Sequence, residues 1–147
     1  MNKKLFYIIF ALIISVFFMV GCDGIAPSTS TGITGNWTMT SSSQAGVTTS
    51  KCYIKDNSGS LTISNFNIVG EEHITWSTGY GTFKNSKITA NVNGSYLNIY
   101  GQTVTTVIYF EGNIDSGGIS GTGTWLQTYN VAGLIDSFSG NTIFIKG

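Results

Sequence analysis

Glu71-Glu72-His73 is the densest cluster of acid–base side chains in the chain and holds its one histidine. Carboxylates beside an imidazole can hold a divalent metal or pass a proton. Neighbouring residues of a strand point to opposite faces, so Glu71 and His73 can share a face while Glu72 turns away. The run follows Gly70 at a turn signal, which predicts solvated charges rather than a metal centre. Paired carboxylates for glycoside cleavage would need Glu111 or Asp115 to approach Glu71 or Asp136 in space, and nothing in the spacing favours that. Neither a Gly-x-Ser-x-Gly elbow nor a His-Glu-x-x-His helix is present. The glycines of Gly79-Tyr80-Gly81-Thr82-Phe83 lack the lysine and following helix of a phosphate loop. Cys52, in Lys51-Cys52-Tyr53-Ile54-Lys55, shares a strand face with Ile54 and reads as a small buried hydrophobe. The sequence therefore predicts no catalytic residue, no metal and no cofactor.

Aromatic side chains are the remaining candidates. Trp76, Trp125, Tyr80, Tyr96, Tyr100 and Tyr109 are expected to line a cavity in which O–H and N–H groups orient a small apolar ligand, with Tyr129 alongside. Small barrels are as readily filled by their own side chains, so a solid core stands as the alternative.

The N-terminus carries an address. Lys3 and Lys4 precede an apolar run from Leu5 to Val20, and small Gly21 precedes Cys22. That order marks a secretory signal rather than a structural helix, and the run falls short of the ~20 residues of a spanning segment. Met19-Val20-Gly21-Cys22 resembles the bacterial lipobox. The resemblance implies cleavage before Cys22 and acylation of its thiol, which anchors the protein to a membrane through its N-terminal acyl chains. It also places the protein in the bacterial cell envelope, facing the periplasm or the exterior.

Beyond Gly21 stand five lysines, no arginine and all seven acidic residues. A slightly acidic surface without a basic stripe excludes nucleic acid as a partner. With Cys22 acylated, Cys52 has no intramolecular disulfide partner. Residues 22–34 contain the chain's one proline among Ser, Thr and Gly, and read as a flexible tether.

From Gly35 onward apolar residues alternate with period two between Gly, Asn and Asp clusters. Strands are expected at 35–41, 50–55, 59–69, 72–78, 80–84, 86–93, 95–100, 103–114, 118–128 and 137–146. Asn93-Gly94 is the best two-residue hairpin signal, with further turns at 56–60 and 115–118 and an irregular turn over 129–136. Glycine is too frequent for a long helix. The fold class is all-β: an antiparallel up-and-down meander of eight to ten strands, closed into a small barrel, with a β-sandwich as the alternative. The buried face draws on Trp37, Met39, Ile54, Leu61, Ile63, Ile74, Trp76, Ile88, Val92, Leu97, Ile99, Val104, Ile108, Trp125, Ile143 and Ile145.

Gly35-Asn36-Trp37 resembles the Gly-x-Trp opening of the first strand in lipocalins and avidins, the calycin barrels, and Gly123-Thr124-Trp125 repeats it. The resemblance implies a barrel whose end is plugged by an indole. In lipocalins an arginine from a late strand covers that indole, and this chain has no arginine. Closure would pair the first strand with the last and bring both indoles to one region of the core. The expected organisation is a signal peptide (1–21), a tether (22–34) and a barrel (35–147). The expected role is non-enzymatic: a lipid-anchored domain that binds a small apolar ligand or a protein partner. The alternative is a structural or surface-interaction lipoprotein with a solid core.

Overall fold

The computed structural model describes residues 32–147. The expected signal peptide (1–21), the acylated Cys22 and the tether up to residue 31 lie outside the described residues. Period-two alternation becomes nine strands: β1 (Gly35–Ser43), β2 (Gly46–Asn57), β3 (Ser60–Ile68), β4 (Thr75–Trp76), β5 (Gly79–Lys84), β6 (Lys87–Leu97), β7 (Thr103–Ile114), β8 (Ser120–Val131) and β9 (Leu134–Lys146). All pairings are antiparallel, and β9 returns to β1 with Lys146 opposite Trp37 and Asn141 opposite Ser42. Eight strands thereby close on themselves, while β4 lies along β6 beyond the stretch that β5 covers. Closure leaves no sheet edge to template aggregation, and it excludes the sandwich.

Three hairpins turn on two consecutive positive-φ residues, Ser58-Gly59, Asn85-Ser86 and Ala132-Gly133. Such turns match the twist of the flanking strands. The segment 129–136, expected as an irregular turn, is therefore a tight hairpin tip. Asn93-Gly94 is a second correction: it lies inside β6, and the chain turns at 98–102 instead. There the Asn98 side-chain oxygen accepts from the Tyr100 and Gln102 N–H groups. Gly94 serves a close approach, since a methyl group on it would lie 2.7 Å from the Trp76 ring and 2.9 Å from Ile74. The expected strand 72–78 shrinks to β4, which lays that indole over the glycine.

One end of the barrel is plugged. Ile33 and Trp37 are buried, and the Trp37 indole donates to the Ile33 carbonyl at 2.7 Å. Lys146, opposite Trp37 in the ladder, donates to the Gly32 carbonyl at 2.8 Å. Thr34 accepts from the Asp56 N–H at 2.9 Å. Residues 32–34, expected in the tether, thus pack as part of the barrel. Above the plug, Met39, Cys52, Ile54, Ile63, Ile88, Ala90, Phe110 and Phe144 enclose about 10 Å³ of free space. That is about the minimum for one water and far below an aromatic ring. This half of the barrel is solid.

The core differs from expectation at four positions. Leu97 and Ile99 belong to the β6–β7 tip and are 69 % and 91 % exposed. Ile143 and Ile145 face outward while Phe144 is buried. The run Ile143-Phe144-Ile145 is apolar in both phases, and a one-residue slip exchanges its faces. The ring decides, because Phe144 fills the space over Gly112, where a methyl group would lie 2.7 Å from it. The two indoles are also kept apart. Trp37 stands opposite Lys146 and Trp125 opposite Gly140. At ~3.3 Å per residue the two positions are ~20 Å apart along β9.

Candidate functional site at the barrel mouth

Toward the other end the inward-facing residues become polar. β1 continues from Trp37 and Met39 to Ser41, and β8 from Trp125 to Gln127 and Tyr129, all on the inner phase of the alternation. Ser41, Ser50, Thr106, Gln127 and Thr142 are all buried. Ser41 donates to Thr142 at 3.1 Å, and the Gln127 amide donates to Thr106 at 3.4 Å and to the Tyr129 oxygen.

These strands open into a cleft of about 230 Å³. Its walls are the β1–β2 turn (Ser43, Ala45 and Gly46 to Thr48), the β8–β9 hairpin (Trp125, Gln127, Tyr129, Phe138) and Glu71. The opening follows from the register. β9 is paired with β1 only from Asn141 onward, yet it stays paired with β8 back to Leu134. The two hairpins therefore part above Ser42. Glu71 reaches the gap from the β3–β4 connection, a tight turn in which its N–H donates to Ile68 O at 3.0 Å and its carbonyl accepts from Ile74 at 3.1 Å. Val69 ties the same turn to Thr49 O at 2.9 Å.

Three buried side-chain polar atoms lack a partner among the described residues: Glu71 Oε2 and Trp125 Nε1 on these walls, and Trp76 Nε1 away from the cleft. Each such group costs ~1–3 kcal/mol relative to hydration. Tyr129 adds a neutral phenol. Burial, then the nearby Glu71 charge and Tyr96, push it up to about 12, against a smaller opposing effect of the Gln127 hydrogen bond. The Tyr129 and Phe138 rings meet edge to face at 6.1 Å. Asp136, opposite Tyr129 in the ladder, shares that face of the hairpin and is exposed. None of the described lysines lines the cleft.

Of the residues expected to line a cavity, Trp125 does so. Tyr96 is half-buried, with its ring 4.8 Å from that of His73. Trp76 packs edge-on against Phe66 at 4.9 Å and lines a separate open groove of about 250 Å³ with Ser77, Asn93 and Gly94. Tyr80, Tyr100 and Tyr109 are 63 %, 80 % and 39 % exposed, which corrects their assignment. Tyr80 and Tyr109 occupy the outward phase of their strands, and Tyr109 donates to Glu111, which also pairs with Lys87. Tyr100 sits on the β6–β7 tip. The apolar interior is thus filled, and the cleft that Trp125 lines is a polar mouth.

Gln127, Phe138 and Glu71 are not in that set; the sequence offers Glu71 only as a metal or acid–base candidate. The period-two run Trp125-x-Gln127-x-Tyr129 was a usable signal for Gln127. Glu72 accepts from the Gly70 N–H at 2.9 Å and is exposed with His73, so the three-residue cluster does not act together. Among the described residues no three His, Cys, Asp or Glu side chains converge as metal ligands. Asp115 lies in the β7–β8 turn at the plugged end, where it accepts from Ser120 at 2.6 Å and Ile119 at 3.0 Å. An open groove beside it therefore presents a carboxylate already in use. Cys52 is buried, and desolvation pushes its thiol up to about 12. The thiol stays protonated, whereas the thiolate is the nucleophile.

Geometry defines the class: a closed eight-stranded antiparallel barrel, the architecture that the calycin resemblance implies, plugged at one end and polar at the other. Comparison with protein-family models, curated proteins and solved structures finds no match for this chain.

Proposed function

We propose that the protein is a lipid-anchored barrel of the bacterial cell envelope that binds a small ligand in its mouth without transforming it. The observation that carries this reading is the pair of unpartnered buried atoms, Glu71 Oε2 and Trp125 Nε1, on the walls of one 230 Å³ cleft. A buried donor and a buried acceptor left open together are what a ligand with complementary groups would satisfy. The ligand is amphipathic rather than purely apolar, because the apolar half of the barrel has no room for it. Native mass spectrometry of gently extracted protein tests the reading. A bound small molecule that is lost on Trp125→Ala supports it, and an empty wild-type protein at saturating envelope extract contradicts it.

The anchor rests on the lipobox-like Met19-Val20-Gly21-Cys22. Intact-mass analysis of membrane-extracted protein should find residues 1–21 removed and acyl mass on Cys22. A mass that still includes Met1 would contradict it.

A second reading, contact with a protein partner, is favoured by the exposed apolar tips at the mouth end. Ile99, Tyr100 and Leu134 are 91 %, 80 % and 79 % exposed on two separate hairpins. Cross-linking from those tips in intact cells separates it from ligand binding.

A further inference from the structure

We infer that the mouth cleft takes a small organic ammonium ion, its charge seated against Glu71 and its apolar part against Trp125, Tyr129 and Phe138. This inference rests on the cleft being a ligand site, and it adds the chemical class of the ligand.

Charge is the first argument. Glu71 brings a carboxylate oxygen out of water, and among the described residues it has no hydrogen-bond partner there and no lysine lines the cleft to neutralise it. Asp136, on the same face as Tyr129, adds a second negative group at the rim. Glu71 as a whole is half-buried, and a carboxylate partly withdrawn from water gains from a counter-ion, which none of the described residues lining the cleft supplies. A neutral polyol would donate hydrogen bonds to Glu71 but leave its charge uncompensated.

Shape and ring chemistry give the second argument. Three aromatic side chains wall the cleft, and Tyr129 remains an uncharged phenol because burial raises its titration. Aromatic faces attract cations through their quadrupole, most strongly where water is excluded. A cavity of about 150 Å³ accepts benzene. The 230 Å³ here thus has room for one ring, a short alkyl link and an ammonium group. The Trp125 N–H is left for an acceptor on the ligand or for a water it carries in.

The test is calorimetric titration of the full-length protein, in a detergent with an uncharged headgroup, against 2-phenylethylammonium and its neutral isostere 2-phenylethanol. The Trp125 indole N–H resonance is followed in parallel. The ammonium should bind at least about tenfold more tightly, and the difference should shrink as salt rises, since screening weakens charge pairing. Glu71→Gln should bring both probes to the affinity of the alcohol. Removing an unpartnered charge does not threaten the fold, and an unchanged melting curve confirms that the variant is native. Equal affinity for the two probes, with Trp125 perturbed by both, overturns the ammonium assignment and leaves the cleft as a ligand site. Undiminished ammonium binding by Glu71→Gln overturns it as well. Silence of the Trp125 resonance towards both probes overturns the assignment and the ligand-site reading together.

Discussion

Trp37 and Trp125 point into one barrel from opposite halves, and only Trp37 has a partner for its indole N–H, the carbonyl of Ile33 at 2.7 Å. The same residue type, preceded in both cases by Gly-x, thus does two jobs. A satisfied indole packed on Ile33 closes an end, and an unsatisfied one on the cleft wall leaves a donor open for the proposed ligand.

The contrast predicts stability effects of unequal size. Trp37→Ala should destabilise the domain by ~3–5 kcal/mol, as truncation of a large buried aromatic does. Trp125→Phe removes a donor that has no protein partner, so it should cost ~1 kcal/mol or less. Denaturant unfolding of the two variants checks this. A Trp37→Ala protein as stable as wild type would show that the plug does not hold the barrel.

Gly94→Ala should destabilise the barrel by ~1–3 kcal/mol, the usual cost of overpacking. The added methyl would enter the space held by the Trp76 ring and Ile74, 2.7 and 2.9 Å away. Were Asn93-Gly94 a hairpin turn, the change would instead act through backbone conformation. The double variant Gly94→Ala with Trp76→Ala separates the two: partial recovery relative to Trp76→Ala alone marks a steric clash.

Alkaline pH should weaken the fold through Cys52. Burial raises the thiol from 9.0 to about 12, so the folded state keeps a proton that the unfolded chain releases. The linked stability is complete below the unfolded value and is lost as pH rises through the folded one. The slope from this single group is at most ~1.4 kcal/mol per pH unit. Cys52→Ala should flatten that part of the decline while lowering stability at neutral pH by opening a cavity. Urea titrations at about pH 8 and about pH 10.5 measure both. Parallel decline of variant and wild type would contradict the assignment.

How far the sequence reveals this molecule follows from its periodicities. Strand alternation and turn residues are enough to expect a closed meander with β1 beside β9, because hairpins such as those at 56–60 and 115–118 carry their own signal. Asn93-Gly94 misled because the dipeptide that suits a turn equally suits a strand that must pass under an indole. Ile143-Phe144-Ile145 misled because both of its phases are apolar, and only packing over Gly112 chooses between them. The mouth was harder still. Glu71 faces the cleft through a turn fixed by contacts to Ile68 and Ile74, and the gap itself arises from β9 parting from β1 beyond Asn141. Both are consequences of register, which a linear pattern does not contain.

The central claim, a solid barrel with a ligand site at its mouth, is tested most directly at the three indole N–H groups of nitrogen-15-labelled protein. A panel of single-ring amines, alcohols and carboxylates is titrated in, and each indole resonance is followed. The account predicts saturable shifts at Trp125 and a stationary Trp37, whose N–H is held by Ile33 inside the plug. Shifts centred on Trp37, or no saturable response at Trp125 to any compound, would contradict it.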